Sequence, residues 1–164
     1  MKRFSSTASL ALAVVIVLGL AGPVAAGEQV PFKGSLDGVA ISIVNVPPLR
    51  HVLVEGTGTA TQLGKFTFAF PHTVNLSTRI AVGTYHIMAA NGDKLTAGGT
   101  GVATPTIIDG VFHLAIEEEM IVDPTLSTGR FAGATGSFTI KRLYNPATGT
   151  TAGSFKGIIS SPGN

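Results

Sequence analysis

Beyond Ala26 no part of this chain keeps an apolar pattern of helical period; short alternating runs are instead punctuated by glycine, proline and Asx turns. That pattern predicts an all-β fold. Val39, Ile41 and Ile43 alternate with Ala40 and Ser42 in a first strand that ends at Pro47-Pro48, and His51 to Ala60 reads as a second. Phe66, Phe68 and Phe70 share one face of a third, which Pro71 is expected to bend or end. Thr84–Ala90 and Asp93–Val102 flank Asn91-Gly92, a pair suited to a type I′ turn. Val111–Val122 is a long strand opened by Asp109-Gly110 and closed by Asp123-Pro124, and Phe138–Tyr144 with Ser154–Ser160 forms the last pair. About eight strands at this spacing predict an eight-stranded antiparallel up-and-down β-barrel. A β-sandwich with Greek-key links is the alternative. The barrel is preferred because the connections are short and closure leaves no open sheet edge.

The segment Ser127 to Phe138 carries Gly129, Gly133 and Gly136 between Phe131 and Phe138. It is too rich in glycine for a helix and too apolar for a linker. It reads as a turn and close-packing device leading into the next-to-last strand, where backbone passes near backbone.

Residues 1–26 read as a secretory signal peptide: Lys2 and Arg3, an uncharged run from Leu10 to Leu20, then Val24-Ala25-Ala26 before Gly27. Gly19, Gly22 and Pro23 interrupt the run too early for a spanning helix, so no stable membrane anchor is expected after cleavage. The expected product is one domain, 27–164, secreted or periplasmic. Without Lys2 and Arg3 the 11 basic residues fall to nine, equal to the 9 acidic ones. The cations are scattered, so no nucleic-acid partner is expected. There are no cysteines, which removes disulfides, thiol catalysis and thiolate metal sites.

In Val111–Val122, alternation places Phe112, Leu114, Ile116, Glu118, Met120 and Val122 on one face and His113, Ala115, Glu117, Glu119 and Ile121 on the other. Glu118 is thus a carboxylate in an apolar row. Buried alone it would be a candidate acid or ligand-binding group. The competing expectation is that the strand end is wet or that Glu118 pairs with Arg142, which follows Phe138 and Ile140 on an apolar row of the next strand. His51, His72, His86 and His113 are dispersed without metal-ligand spacing, so neither metal nor cofactor is expected. Gly58 to Lys65 lacks the spacing, the hydroxyl residue and the helix of a phosphate loop. Tyr85 and Tyr144 offer hydroxyls to a ligand or to the core.

Three motifs in order, Gly56-Thr57-Gly58-Thr59-Ala60-Thr61-Gln62-Leu63-Gly64-Lys65-Phe66, Ala89-Ala90-Asn91-Gly92-Asp93 and Thr128-Gly129-Arg130-Phe131-Ala132-Gly133-Ala134-Thr135-Gly136, resemble small secreted bacterial proteins of uncharacterised function. The last also resembles the glycine-rich Thr-Gly-x-Phe segment of the allene oxide cyclase and dirigent-like barrels. The resemblance implies an eight-stranded barrel with a central cavity for an apolar or phenolic small molecule. It carries no catalytic residue into this chain, because no motif matches those enzymes' site residues position by position. Gln62 and Ser127 stand where the pattern commonly has histidine and glycine.

Three functions follow as expectations. The first is a non-enzymatic barrel binding a small apolar ligand, with Glu118, Arg142, Tyr85, Phe112 and Phe68 as its candidate contacts. The second is an isomerase or cyclase resembling allene oxide cyclase, using Glu118 with Arg142 or Tyr85 to orient substrate. The third is a non-catalytic envelope or extracellular interaction protein.

Overall fold

The computed structural model describes residues 27–160, 162 and 163, so the proposed signal peptide lies outside the described residues. Eight strands run β1 (Gln29–Val46), β2 (Leu49–Ala60), β3 (Gly64–Asn75), β4 (Ile80–Ala89), β5 (Lys94–Ile108), β6 (Val111–Val122), β7 (Gly136–Asn145) and β8 (Thr150–Ser160). Each pairs antiparallel with its sequence neighbours, and β1 pairs with β8 to close the barrel. The β-sandwich alternative is therefore overturned.

β6 spans Val111–Val122 as the sequence pattern indicates, but several other strands are longer than that pattern, for physical reasons. β1 begins at Gln29, ten residues before the Val39 alternation, because its inward positions Phe32, Gly34, Leu36 and Gly38 are half glycine. Pro71 does not end β3; only the pairing to β4 lapses beside it, between Ala69↔His86 and His72↔Gly83. β5 continues through Pro105, where β4 is no longer alongside: β4 begins at Ile80, opposite Val102, so the missing N–H faces no partner strand. Asn91-Gly92 is not a type I′ turn. Of the two only Gly92 has positive φ (91°), and its N–H donates to the carbonyl of Ala89, closing a longer loop. The two-residue turn with both φ positive is Asp109-Gly110, at 49° and 77°.

The barrel is filled by an aromatic ladder. Phe32 meets Phe138 (5.1 Å between ring centroids) and Phe155 (5.0 Å), Phe155 meets Phe66, and Phe68 leads to Tyr85 at 5.6 Å. A barrel of this size has no room for rings on every strand, and glycines supply it: a Cβ on Gly56 would lie 2.6 Å from Phe68 Cε1. One end is closed. A short 3₁₀ turn, Gly129–Phe131, lies between β6 and β7 and buries Phe131 completely in the same cluster as Leu63, Leu95 and Ile159. Arg130 latches this turn, its Nη2 donating to the Gln62 carbonyl (2.5 Å) and its Nε facing Asp93 Oδ2 at 3.2 Å. The glycine-rich segment thus plugs the barrel before Gly136 (φ 134°) starts β7.

The other end is open. There β1–β2 and β5–β6 overhang their neighbours: β1 pairs with β8 only as far as Val39, and β6 pairs with β7 only from Leu114 onward. The overhanging hairpins are apolar, with Ile43, Val46, Ile107 and Phe112 exposed at the rim. Val82 and Val102 add exposed apolar surface on the outer wall.

Candidate functional site

Glu118 points into the barrel, where it is 1% exposed. The period-two alternation of β6 puts it on the inner face with Met120 and Val122, while Glu117 and Glu119 stay exposed on the outer face. Glu117 pairs there with Lys141 (3.1 Å), and Glu119 accepts a hydrogen bond from Thr139. The register sets Ile116 opposite Arg142 and Glu118 opposite Ile140, so Glu118 and Arg142 are diagonal neighbours on the inner face.

Arg142 is also buried and grips Glu118 with two donors, Nη2 to Oε1 at 2.7 Å and Nε to Oε2 at 3.1 Å. Its third nitrogen, Nη1, donates to Thr151 Oγ1 at 3.2 Å, and Thr151 in turn donates to the Leu143 carbonyl. Tyr85 reaches across from β4 and donates its hydroxyl to Glu118 Oε2 at 2.9 Å. Two glycines make the space: Gly101 lies opposite Glu118 and Gly153 opposite Arg142, and a Cβ on Gly101 would sit 2.6 Å from Glu118 Cγ. The bidentate form, with the third guanidinium nitrogen also donating, is the arrangement a buried ion pair needs to offset its desolvation.

The electrostatics follow from this closure. Burial, reinforced by the Glu118 charge, raises the Tyr85 pKa well above its ordinary value, so its proton stays on the hydroxyl. Burial opposes the Arg142 charge, but Tyr85 and Glu118 outweigh it and the guanidinium pKa is raised. The layer is therefore a floor of no net charge in which each side-chain nitrogen and oxygen has a hydrogen-bond partner.

Above it the inner face opens. Phe70 stacks on Tyr85 (3.9 Å, 10° between planes), and His72 stacks on Phe70 (4.3 Å, 17°). Arg142 Cζ lies 5.8 Å from the Phe70 ring centre. Gly83, paired with His72, leaves room for the stack; a Cβ there would be 2.8 Å from Phe70 Cε2. Val52, Val74, Ala103, Leu114, Ile116 and Tyr144 are half-buried around this space. The row on β6 passes from fully buried Glu118, through Ile116 and Leu114, to Phe112 at 47% exposure.

Three of the five residues singled out from sequence thus meet directly: Glu118, Arg142 and Tyr85. Phe68 lies below them in the aromatic ladder, in contact with Tyr85. Phe112 shares their face but stands at the rim, away from the three. Sequence reasoning missed His72 and Thr151 as part of the site. For His72 the signal was available, since it falls on the same face as Phe66, Phe68 and Phe70. Among the described residues no three metal-ligating side chains gather. Comparison with protein-family models, curated proteins and solved structures finds no match.

Proposed function

We propose that this protein is a non-enzymatic binding protein that holds a small, uncharged and largely apolar molecule in the open mouth of its barrel. The observation that carries this reading is the funnel itself: half-buried Ile116, Leu114, Val52 and Val74 rise above a neutral floor of Glu118, Arg142 and Tyr85. Concave apolar space with a few fixed polar groups is the ordinary form of a small-molecule site. The same geometry favours binding over proton transfer. Glu118 already accepts three hydrogen bonds, and its charge is matched by Arg142, so it is held as a fixed carboxylate. A resemblance to dirigent-like barrels and export by a signal peptide agree with this reading and belong to the proposal.

The test is titration of the neutral dye Nile red. The parent protein is expected to bind it with enhanced fluorescence, and Ile116→Glu, which puts a charge in the funnel, is expected to weaken binding at least tenfold, on the order of the cost of desolvating an unpaired carboxylate. Equal binding by both proteins would overturn the reading.

A further inference from the structure

Within the funnel, almost every polar group of the floor is spoken for. Glu118 accepts from Arg142 and Tyr85, all three Arg142 nitrogens donate, and Thr151 both accepts and donates. His72 differs. Its Nδ1 lies 3.1 Å from the Phe70 carbonyl oxygen, an atom that can only accept, so Nδ1 carries the proton and Nε2 is left as a bare acceptor. Among the described residues Nε2 has no hydrogen-bond partner, yet it is not among the buried atoms left unpaired, so it reaches open space. The ring cannot easily swing away, because it is stacked flat on Phe70 with Gly83 opposite.

We propose that His72 Nε2 is the hydrogen-bond acceptor of the mouth, and that the ligand is an uncharged, largely apolar molecule that presents a hydroxyl to it. This rests on the mouth being the binding site. The chemistry is selective in a definite direction. An acceptor in an apolar funnel rewards a donor and penalises a molecule that covers it without one, because the nitrogen then loses water and gains nothing. Burial lowers the pKa of His72, partly opposed by its bond to Phe70, and this keeps the ring in the accepting form at neutral pH. Two other polar groups face the space: the Tyr144 hydroxyl, half-buried two residues beyond Arg142 on the same face of β7 and without a partner among the described residues, and half-buried Arg50, opposite Val74, whose Nε donates to Asn45 Oδ1.

The experiment compares 2-naphthol with 2-methoxynaphthalene, and 1-decanol with decyl methyl ether, as ligands of the parent protein, His72→Phe and Tyr144→Phe at pH 7.5. His72→Phe keeps the stacked ring and removes the acceptor. The hydroxyl probe is expected to bind the parent roughly five- to tenfold more tightly than its ether, the worth of one neutral hydrogen bond. That preference should vanish in His72→Phe and survive in Tyr144→Phe. Which pair shows it distinguishes a phenolic from an aliphatic ligand. If alcohol and ether bind the parent equally, or the preference survives in His72→Phe, the role of His72 is refuted while the funnel reading stands. If none of the four probes binds, the funnel reading fails and this inference with it.

Discussion

The strongest demand on the structure comes from removing Arg142. Arg142→Met takes away three donors at once and leaves Glu118, 1% exposed, with the Tyr85 hydroxyl as its remaining partner. Breaking a buried pair from one side costs about 3–5 kcal/mol. A second route gives the same size. The stranded carboxylate escapes its penalty by taking up a proton, at about 1.4 kcal/mol for each pH unit above the ordinary glutamate value near 4.3. That amounts to about 4 kcal/mol at pH 7 and about 1 kcal/mol at pH 5. The sign follows from the raised folded-state pKa of Glu118 expected in the variant: stability is retained below pH ~4.3 and is lost as pH rises toward the new value. Urea unfolding followed by circular dichroism at pH 5 and pH 7 measures both numbers. A loss below about 1 kcal/mol at pH 7, or equal losses at the two pH values, would refute the buried pair. The triple variant Tyr85→Phe/Glu118→Leu/Arg142→Met removes every group that would be stranded and is expected to unfold within about 1 kcal/mol of the parent.

Two further changes probe the frame around the pair. Gly101→Ala puts a methyl 2.6 Å from Glu118 Cγ, and the shift it forces is expected to cost about 1–3 kcal/mol, read as a lower urea midpoint with unchanged slope. Phe131→Ala empties the plug at the closed end, where Phe131 is fully buried, and is expected to cost about 3–5 kcal/mol in the same assay; a loss under about 1 kcal/mol would mean the turn does not close the barrel.

The alternation on β6 shows in the sequence because every second position from Leu114 to Val122 is apolar or Glu118, and the number eight follows from turn residues at short spacing. Arg142 is legible for the same reason, as an inward position on a strand that must lie next to β6. Tyr85 is legible only in part. Parity puts it opposite in facing to His86, but its height in the barrel depends on the whole chain of registers from β4 through β5 to β6. Phe112 shows the same limit. Its face follows from the alternation, whereas its place at the rim follows from the β6–β7 register, which sets Leu114 opposite Tyr144 and which no local pattern encodes. The early half of β1 is hidden for another reason. Gly34 and Gly38 occupy inward positions that rings from other strands fill, so the apolar alternation is split between distant parts of the sequence.

An ion pair at the centre of an aromatic barrel adds little net stability over apolar residues of similar size, so its use must lie elsewhere. A one-residue slip between β6 and β7 would turn Glu118 or Arg142 to the outer face and leave the other buried alone. The wrong register therefore carries the cost of an unpaired buried charge, whereas slipped apolar rows would differ less. Tyr85 extends the constraint across the barrel, from β6 to β4. The same three residues then do a second thing by their position: they set the height at which the packed ladder ends and the funnel begins. The two roles separate in the triple apolar variant. It should fold with nearly the parent's stability, yet with a floor that no longer has fixed polar groups and with Phe70 and His72 resting on a softer base. Register and floor thus depend on one layer, and the funnel owes its shape to the same contacts that make the barrel close in one way.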